Sequence, residues 1–264
     1  MKKIILVLVF SLLMIVGCSK NDNVVGIGAQ SNLVLLKKIE SIGTYSNAVF
    51  QTGILTYDGN KLLEFNSTGY KEIYTYSGNL ITKIVAYDGN NISQTSEFTY
   101  LNGSLSTYIS NTERFRYYSK TTYTNNPDGT ISYIEKSIHK QNLDEQINKT
   151  GSLTFVNGNL IKDEYTSSQS SNVIYSADVY EYDNKNSPFK NILGFDKLYQ
   201  EVGGQKNLLT RTFITKYLDS NNVTVTDTNI NGFYEYLYNS QDYPTQQKFT
   251  EGGILQGTTN YFYD

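Results

Sequence analysis

The strongest constraint on this chain is a unit that returns along most of its length. An alternating strand ends in an aromatic residue, a turn of Gly, Asn or Asp follows, and a second strand starts on Leu or Ile. Aligned on the aromatic before the turn, the units fall at Tyr57, Tyr76, Tyr100, Tyr123, Phe155, Tyr182, Tyr217 and Tyr238, and Asn260 to Asp264 supply a last strand. Steps between units run from 19 to 35 residues, which suits hairpins with variable far loops better than a strict solenoid. Gly and Asn supply the positive backbone φ that two-residue hairpin turns need, and side chains two apart share a sheet face. Tyr74 and Tyr76, Phe98 and Tyr100, Tyr180 and Tyr182, and Tyr236 and Tyr238 therefore stack into one aromatic band. The expected fold is all-β: one long antiparallel meander of repeated hairpins, about fifteen strands, curled into an open barrel, half-barrel or sandwich-like roll. One face is apolar and aromatic, and the other carries Thr, Ser, Lys and Glu.

The N-terminus has a different logic. MKKIILVLVFSLLMIVGCSK places Lys2 and Lys3 before an apolar run from Ile4 to Val16 and ends in Gly17-Cys18, too short a run for a spanning helix. It resembles a bacterial lipoprotein signal cleaved before an acylated cysteine; the alternative is an ordinary secretory signal containing a stray thiol. The division expected is a signal peptide over 1–17, a lipidated N-terminus and flexible tether over 18–32, and one all-β domain over 33–264. Cys18 is the only cysteine, so the body has no intramolecular disulfide to hold it and must rely on packing. The membrane is then a partner through the lipid on Cys18, with the protein residing in the cell envelope as an outer-membrane lipoprotein.

Some stretches depart from the repeat. Lys140 to Thr150 reads as a wide polar loop. Pro188 to Val202 has apolar residues near helical spacing and reads as a short helix or a loop packed on the sheet.

The phrases Tyr180-Glu181-Tyr182-Asp183 with Asn186-Ser187-Pro188-Phe189-Lys190, and Tyr236-Leu237-Tyr238-Asn239 with Tyr243-Pro244, resemble the YD-repeat (Rhs-like) class, and more closely the YD-repeat-like lipoproteins of Bacteroidetes. The resemblance runs over roughly residues 50 to 264. It implies a hairpin-repeat architecture and brings no catalytic residues.

Chemistry is sparse. Charge is near balance, with 22 Lys+Arg against 25 Asp+Glu and no basic block, so nucleic acid is not an expected partner. His139, the only histidine, cannot build a multi-histidine metal site. The Asp/Asn-rich stretches Asp183-Asn186 and Asp219-Asn222 read as turns, not calcium loops. No metal site, cofactor or catalytic residue is assigned. Carboxylates cluster at Asp163-Glu164 and at Asp178, Glu181 and Asp183; a glycan hydrolase would bring two of them together in a cleft, one with a raised pKa.

The reading is a non-enzymatic binding or structural module with an unidentified protein, glycan or lipid ligand; a glycan-binding or glycan-hydrolysing surface lipoprotein is the alternative. Candidate ligand-binding residues are Tyr74, Tyr76, Tyr100, Tyr180, Tyr182, Tyr236 and Tyr238, set against the simpler role of cross-strand ladders.

Overall fold

The computed structural model describes residues 33–44, 48–167, 173–199, 204–218 and 223–264. Leu33–Asp264 forms one compact unit. Its described residues hold sixteen strands: β1 (Leu36–Ile42), β2 (Val49–Asp58), β3 (Lys61–Ser67), β4 (Tyr70–Ser77), β5 (Leu80–Asp88), β6 (Asn91–Leu101), β7 (Ser104–Thr112) and β8 (Tyr117–Asn125). The second half continues with β9 (Ile131–His139), β10 (Glu145–Val156), β11 (Asn159–Ser167), β12 (Val173–Tyr182), β13 (Leu208–Leu218), β14 (Thr224–Tyr238), β15 (Pro244–Glu251) and β16 (Ile254–Tyr263). Every neighbour in sequence pairs antiparallel, and β1 pairs with β16, so the meander closes into a barrel. The expected all-β meander is present, and the barrel is closed where an open barrel, half-barrel or roll was expected, since closure satisfies both edge strands. The stretch 145–150, expected as loop, belongs to β10 and pairs with β9.

The repeat explains the wall. At the rim where the short even-to-odd turns lie, Gly59 and Gly78 take φ of 60° and 59°, while Asn102-Gly103 and Asn157-Gly158 are both left-handed. These are the turn conformations that match the twist of a hairpin. The register slips by one residue at the aromatic just before the turn, at Tyr57, Tyr76, Tyr100 and Phe155. Tyrosine hydroxyls at this level reach the main chain of the strand before. Tyr57 donates to the Leu36 carbonyl at 2.6 Å, Tyr100 to Ile81 at 2.7 Å, Tyr182 to Leu160 at 2.8 Å, Tyr236 to Leu208 at 2.8 Å and Tyr263 to Pro244 at 2.7 Å. Tyr76 instead accepts from the Leu62 N–H at 3.1 Å. The aromatic band thus faces the lumen as a ring of stitches, each tying its strand to the strand before it.

The outer wall mixes charged, polar and apolar side chains. Lys83 pairs with Glu97 at 3.2 Å across β5 and β6, Lys162 bonds Glu164 at 2.5 Å, and Glu235 sits opposite Lys248. Exposed apolar residues are interleaved with polar ones: Ile54 lies between Lys38 and Asn66, and Ile134 between Thr122 and Thr150.

A sixteen-strand ring is wide enough to leave an aqueous channel. Here the long connection from β12 to β13 turns inward and fills that width. One core cluster, around Leu36, Leu55 and Leu62, includes Ile192 with Phe189 and Phe195 packed on it. The other, around Leu105, Tyr123 and Leu153, receives Tyr199. Among its described residues the connection holds one 3₁₀ turn, Phe195–Lys197, and otherwise runs as a loop packed on the sheet. It is tied to the turns of the repeat: Leu193 N–H donates to the Asn60 carbonyl at 2.9 Å, Lys206 N–H to Asn159 Oδ1 at 3.0 Å, and Asn186 Nδ2 to the Gln241 carbonyl at 3.0 Å. Gly194 has φ of 81°, and a Cβ there would lie 3.0 Å from the Asn79 carbonyl oxygen, so glycine is what lets this plug meet the wall.

Candidate functional site

Above the plug, on the side of β8 to β13, lies a cavity of about 290 Å³. Its floor and walls carry Leu153, Leu160 and the rings of Tyr123, Tyr133, Tyr180 and Tyr199. Its polar lining comes from Glu135, Lys149, Asp163, Tyr165, Asp178 and Arg211. The Arg211 side chain is 47% exposed while that of Asp178 is 7% exposed, so the lining runs from solvent to full burial within one residue pair.

Sheet register brings these groups together. Asp163 of β11 is directly opposite Asp178 of β12, Tyr180 is opposite Arg211 of β13, and Lys149 of β10 is opposite Glu135 of β9. Gly151 of β10 is opposite both Tyr133 and Tyr165. A Cβ on Gly151 would come within 2.6 Å of the Tyr133 ring, so only glycine lets that ring lie flat across β10. The ring then carries its hydroxyl two strands away, where it donates to Asp163 Oδ1 at 2.8 Å.

The two aspartates are held differently. Asp178 receives Arg211 Nε at 2.8 Å, and that hydrogen bond is the main reason the guanidinium is pushed further above its ordinary range. Asp163 accepts instead from a phenol, the Tyr133 hydroxyl. Burial raises its carboxyl to about 6; the Tyr133 hydrogen bond and Lys149 pull the other way, while Asp178 and Glu135 reinforce the rise. Burial likewise raises the hydroxyls of Tyr133 and Tyr180, with the nearby aspartates adding to it. Lys149 Nζ lies 4.7 Å from the Tyr165 ring centre, an ammonium on an aromatic face within this lining.

The seven tyrosines singled out from the sequence are dispersed. Tyr180 lines this cavity, Tyr74 a second one of about 140 Å³ reached by Leu198 and Tyr199, and Tyr236 a third of about 260 Å³ beside Pro188 and Phe189. Tyr74 also stacks on Phe195 at 6.0 Å. Tyr76, Tyr100 and Tyr182 are stitches at the plugged rim, and Tyr238 donates to Asp183. Of the carboxylates considered, Asp163 and Asp178 converge. Glu181 is exposed and accepts from Thr210, Glu164 bonds Lys162 and Tyr175, and Asp183 anchors the plug through Asn207. His139 stacks edge-on against Tyr117 at 4.9 Å. Cys18, its signal and its tether lie outside the described residues.

Tyr133, Glu135, Lys149 and Arg211 escaped the sequence reading, although a signal existed. In LLTRTFITKYL the arginine shares a face with Phe213, and in VIYSADVYEY Asp178 shares one with Tyr180 and Tyr182. A charge on the aromatic face of an alternating strand marks a lumenal position. Among the described residues no group of three His, Cys, Asp or Glu is placed to hold a metal ion.

Searches against protein-family models and against curated proteins returned no match. Among solved structures, a porin-like protein from Bacteroides vulgatus ATCC 8482 superposes with a TM-score of 0.58 at 13% identity, over 88% of this chain and 99% of that one. A porin-like protein from Bacteroides uniformis ATCC 8492 gives 0.47 at 13% identity, over 87% of this chain and 96% of that one. The first similarity establishes the shared barrel fold. It also corrects the expected YD-repeat (Rhs-like) kinship: the chain closes after sixteen strands into a porin-like barrel, and no YD-repeat model matches it. The YD-like phrases are hairpin chemistry, an aromatic stitch followed by a Gly/Asn turn, which any chain building such hairpins converges on.

Proposed function

We propose that this protein is a non-enzymatic, lipid-anchored component of the bacterial envelope whose water-facing barrel binds a small polar ligand in its plugged lumen. The lumenal cavity carries this reading: a concave site with aromatic walls and a few convergent polar groups is the usual form of a small-molecule site. Its volume lies at the small end of the usual range, which favours a compact ligand.

Water around the barrel is supported by the outer wall. A lysine on the lipid face of a barrel costs roughly 2–4 kcal/mol at the bilayer midplane, and Lys83, Lys162 and Lys248 all point outward from within strands. The fold shared with a porin-like protein from Bacteroides supports residence in the envelope, and acyl chains on Cys18 would supply the attachment that the wall does not. A panel of neutral sugars, amino sugars and simple amines, followed by hydrogen exchange, tests the reading. It expects at least one compound to protect amides of β9 to β13, and a panel with no such compound counts against it.

Hydrolysis of a glycosidic bond is the second reading, favoured by one observation: Asp163 and Asp178 face each other across β11 and β12 in the cavity, and burial raises the Asp163 carboxyl. Release of reducing ends from an oligosaccharide, lost in Asp163→Asn, would establish it in place of simple binding.

A further inference from the structure

The chemical class of the ligand follows from the charges that face Asp163, provided the lumen is a binding site as proposed above. Asp178 from β12 is bonded by Arg211 from β13, while Glu135 from β9 and Lys149 from β10 face each other only in sheet register. The groups lining the cavity include three carboxylates against two cations, one negative charge in excess, and Asp163 is the buried carboxylate whose hydrogen-bond donor is not a cation. Its bonded partner is a neutral phenol, Tyr133. The remaining surroundings are tyrosine: Tyr165 on its own strand, Tyr180 beside Asp178, and Tyr199 from the plug. Tyrosine faces attract cations, and Lys149 already rests on one of them.

A metal ion is disfavoured, since it would want several oxygen ligands and no such group of carboxylates forms among the described residues. A neutral polyol would leave the extra carboxylate uncompensated in a buried place. An organic cation answers both conditions, with its charge against Asp163 and its carbon skeleton against the rings.

We propose that the cavity recognises a small organic ammonium ion, held with its nitrogen against Asp163 inside the box formed by Tyr133, Tyr165, Tyr180 and Tyr199. The ammonium belongs to either an amino sugar or an alkyl amine, two sources of one chemistry. Binding requires the ionised carboxylate, so it strengthens as pH rises through the titration of Asp163 and weakens below it.

The test is calorimetric titration of the full-length lipidated protein with choline, glucosamine and glucose at pH 7.0 and pH 4.5. Saturable binding of choline or glucosamine at pH 7.0, at least tenfold weaker at pH 4.5, with glucose at least tenfold weaker than the better ammonium, is the expected result. Which of the two binds better identifies the source. Asp163→Asn should weaken ammonium binding at least tenfold at pH 7.0, while Glu235→Gln on the outer wall leaves it unchanged. Should Asp163→Asn fail to fold, the pH dependence of the native protein decides alone. Glucose binding as tightly as glucosamine and choline overturns the charge inference and leaves a lumenal sugar site standing. Ammonium binding indifferent to both pH and Asp163→Asn overturns it as well. If none of the three probes saturates the protein, the ammonium inference falls; the wider lumenal reading falls only if the broader panel also fails.

Discussion

The Tyr133 hydroxyl crosses an entire strand to donate to Asp163 Oδ1 at 2.8 Å, and Gly151 on the strand between makes the crossing possible. The polar lining of the lumen and the backbone packing of the wall are therefore one arrangement. A methyl at Gly151 would sit 2.5 Å from the Glu164 carbonyl oxygen and 2.6 Å from the ring, so both the wall and the tyrosine would have to shift. Gly151→Ala should destabilise the barrel by about 1–3 kcal/mol in urea unfolding, the usual cost of overpacking a filled interior. Wild-type stability in that variant would show that the ring does not depend on the glycine.

Asp163 should cost the fold stability at neutral pH. Its carboxyl is raised from 3.8 to about 6, so between these values the folded state holds more protons than the unfolded one. Stability contributed by this group is thus present below about pH 4 and is lost as pH rises through about 6, amounting to about 3 kcal/mol at most. Asp163→Asn keeps an oxygen that accepts from Tyr133 and removes the charge. It should be more stable than wild type by about 1–3 kcal/mol at pH 7.5 and no more stable at pH 3.5, measured by denaturant titration. A carboxylate retained at such a cost is what a binding site requires.

The tyrosine stitches should each contribute as ordinary buried hydrogen bonds. Tyr100→Phe leaves the ring in place and removes the bond to the Ile81 carbonyl, with an expected loss of about 0.5–1.5 kcal/mol. Tyr182→Phe and Tyr236→Phe should behave alike, and because Tyr100 lies far from both around the ring, its loss should add to either of theirs. Coupling above about 0.5 kcal/mol between Tyr100 and Tyr236 would mean that the band acts as a network and not as separate stitches.

The local parts of this structure were legible because their causes are local. Tyr100, the Asn102-Gly103 turn and Leu105 announce a hairpin within six residues, and the alternation around them announces which face is aromatic. Closure was not legible, since it depends on Leu36 meeting Tyr263 from the other end of the domain, and the sequence alone left open barrel, half-barrel and roll equally possible. The plug was noticed as a stretch that broke the pattern, but its place inside the lumen follows from barrel width, which no local pattern encodes. Asp163 and Asp178 stood out only as two among many acids; it took the β11–β12 register to set them opposite each other. Tyr133 and Arg211 joined them for the same reason, through strand neighbours distant in sequence.

The central claim is that the wall faces water while the aromatic face points inward, and it can be measured at a single position. Thr99 lies on the outer face of β6 opposite Thr107 and is exposed. If Cys18 is acylated as proposed, Thr99→Cys introduces the one free thiol for a nitroxide label, and the protein can be anchored in liposomes. Collision rates with a water-soluble nickel chelate and with oxygen then report the surroundings. A water-facing wall lets the chelate quench the label as it does a fully hydrated site; preferential quenching by oxygen, the signature of a lipid-facing wall, would overturn that reading.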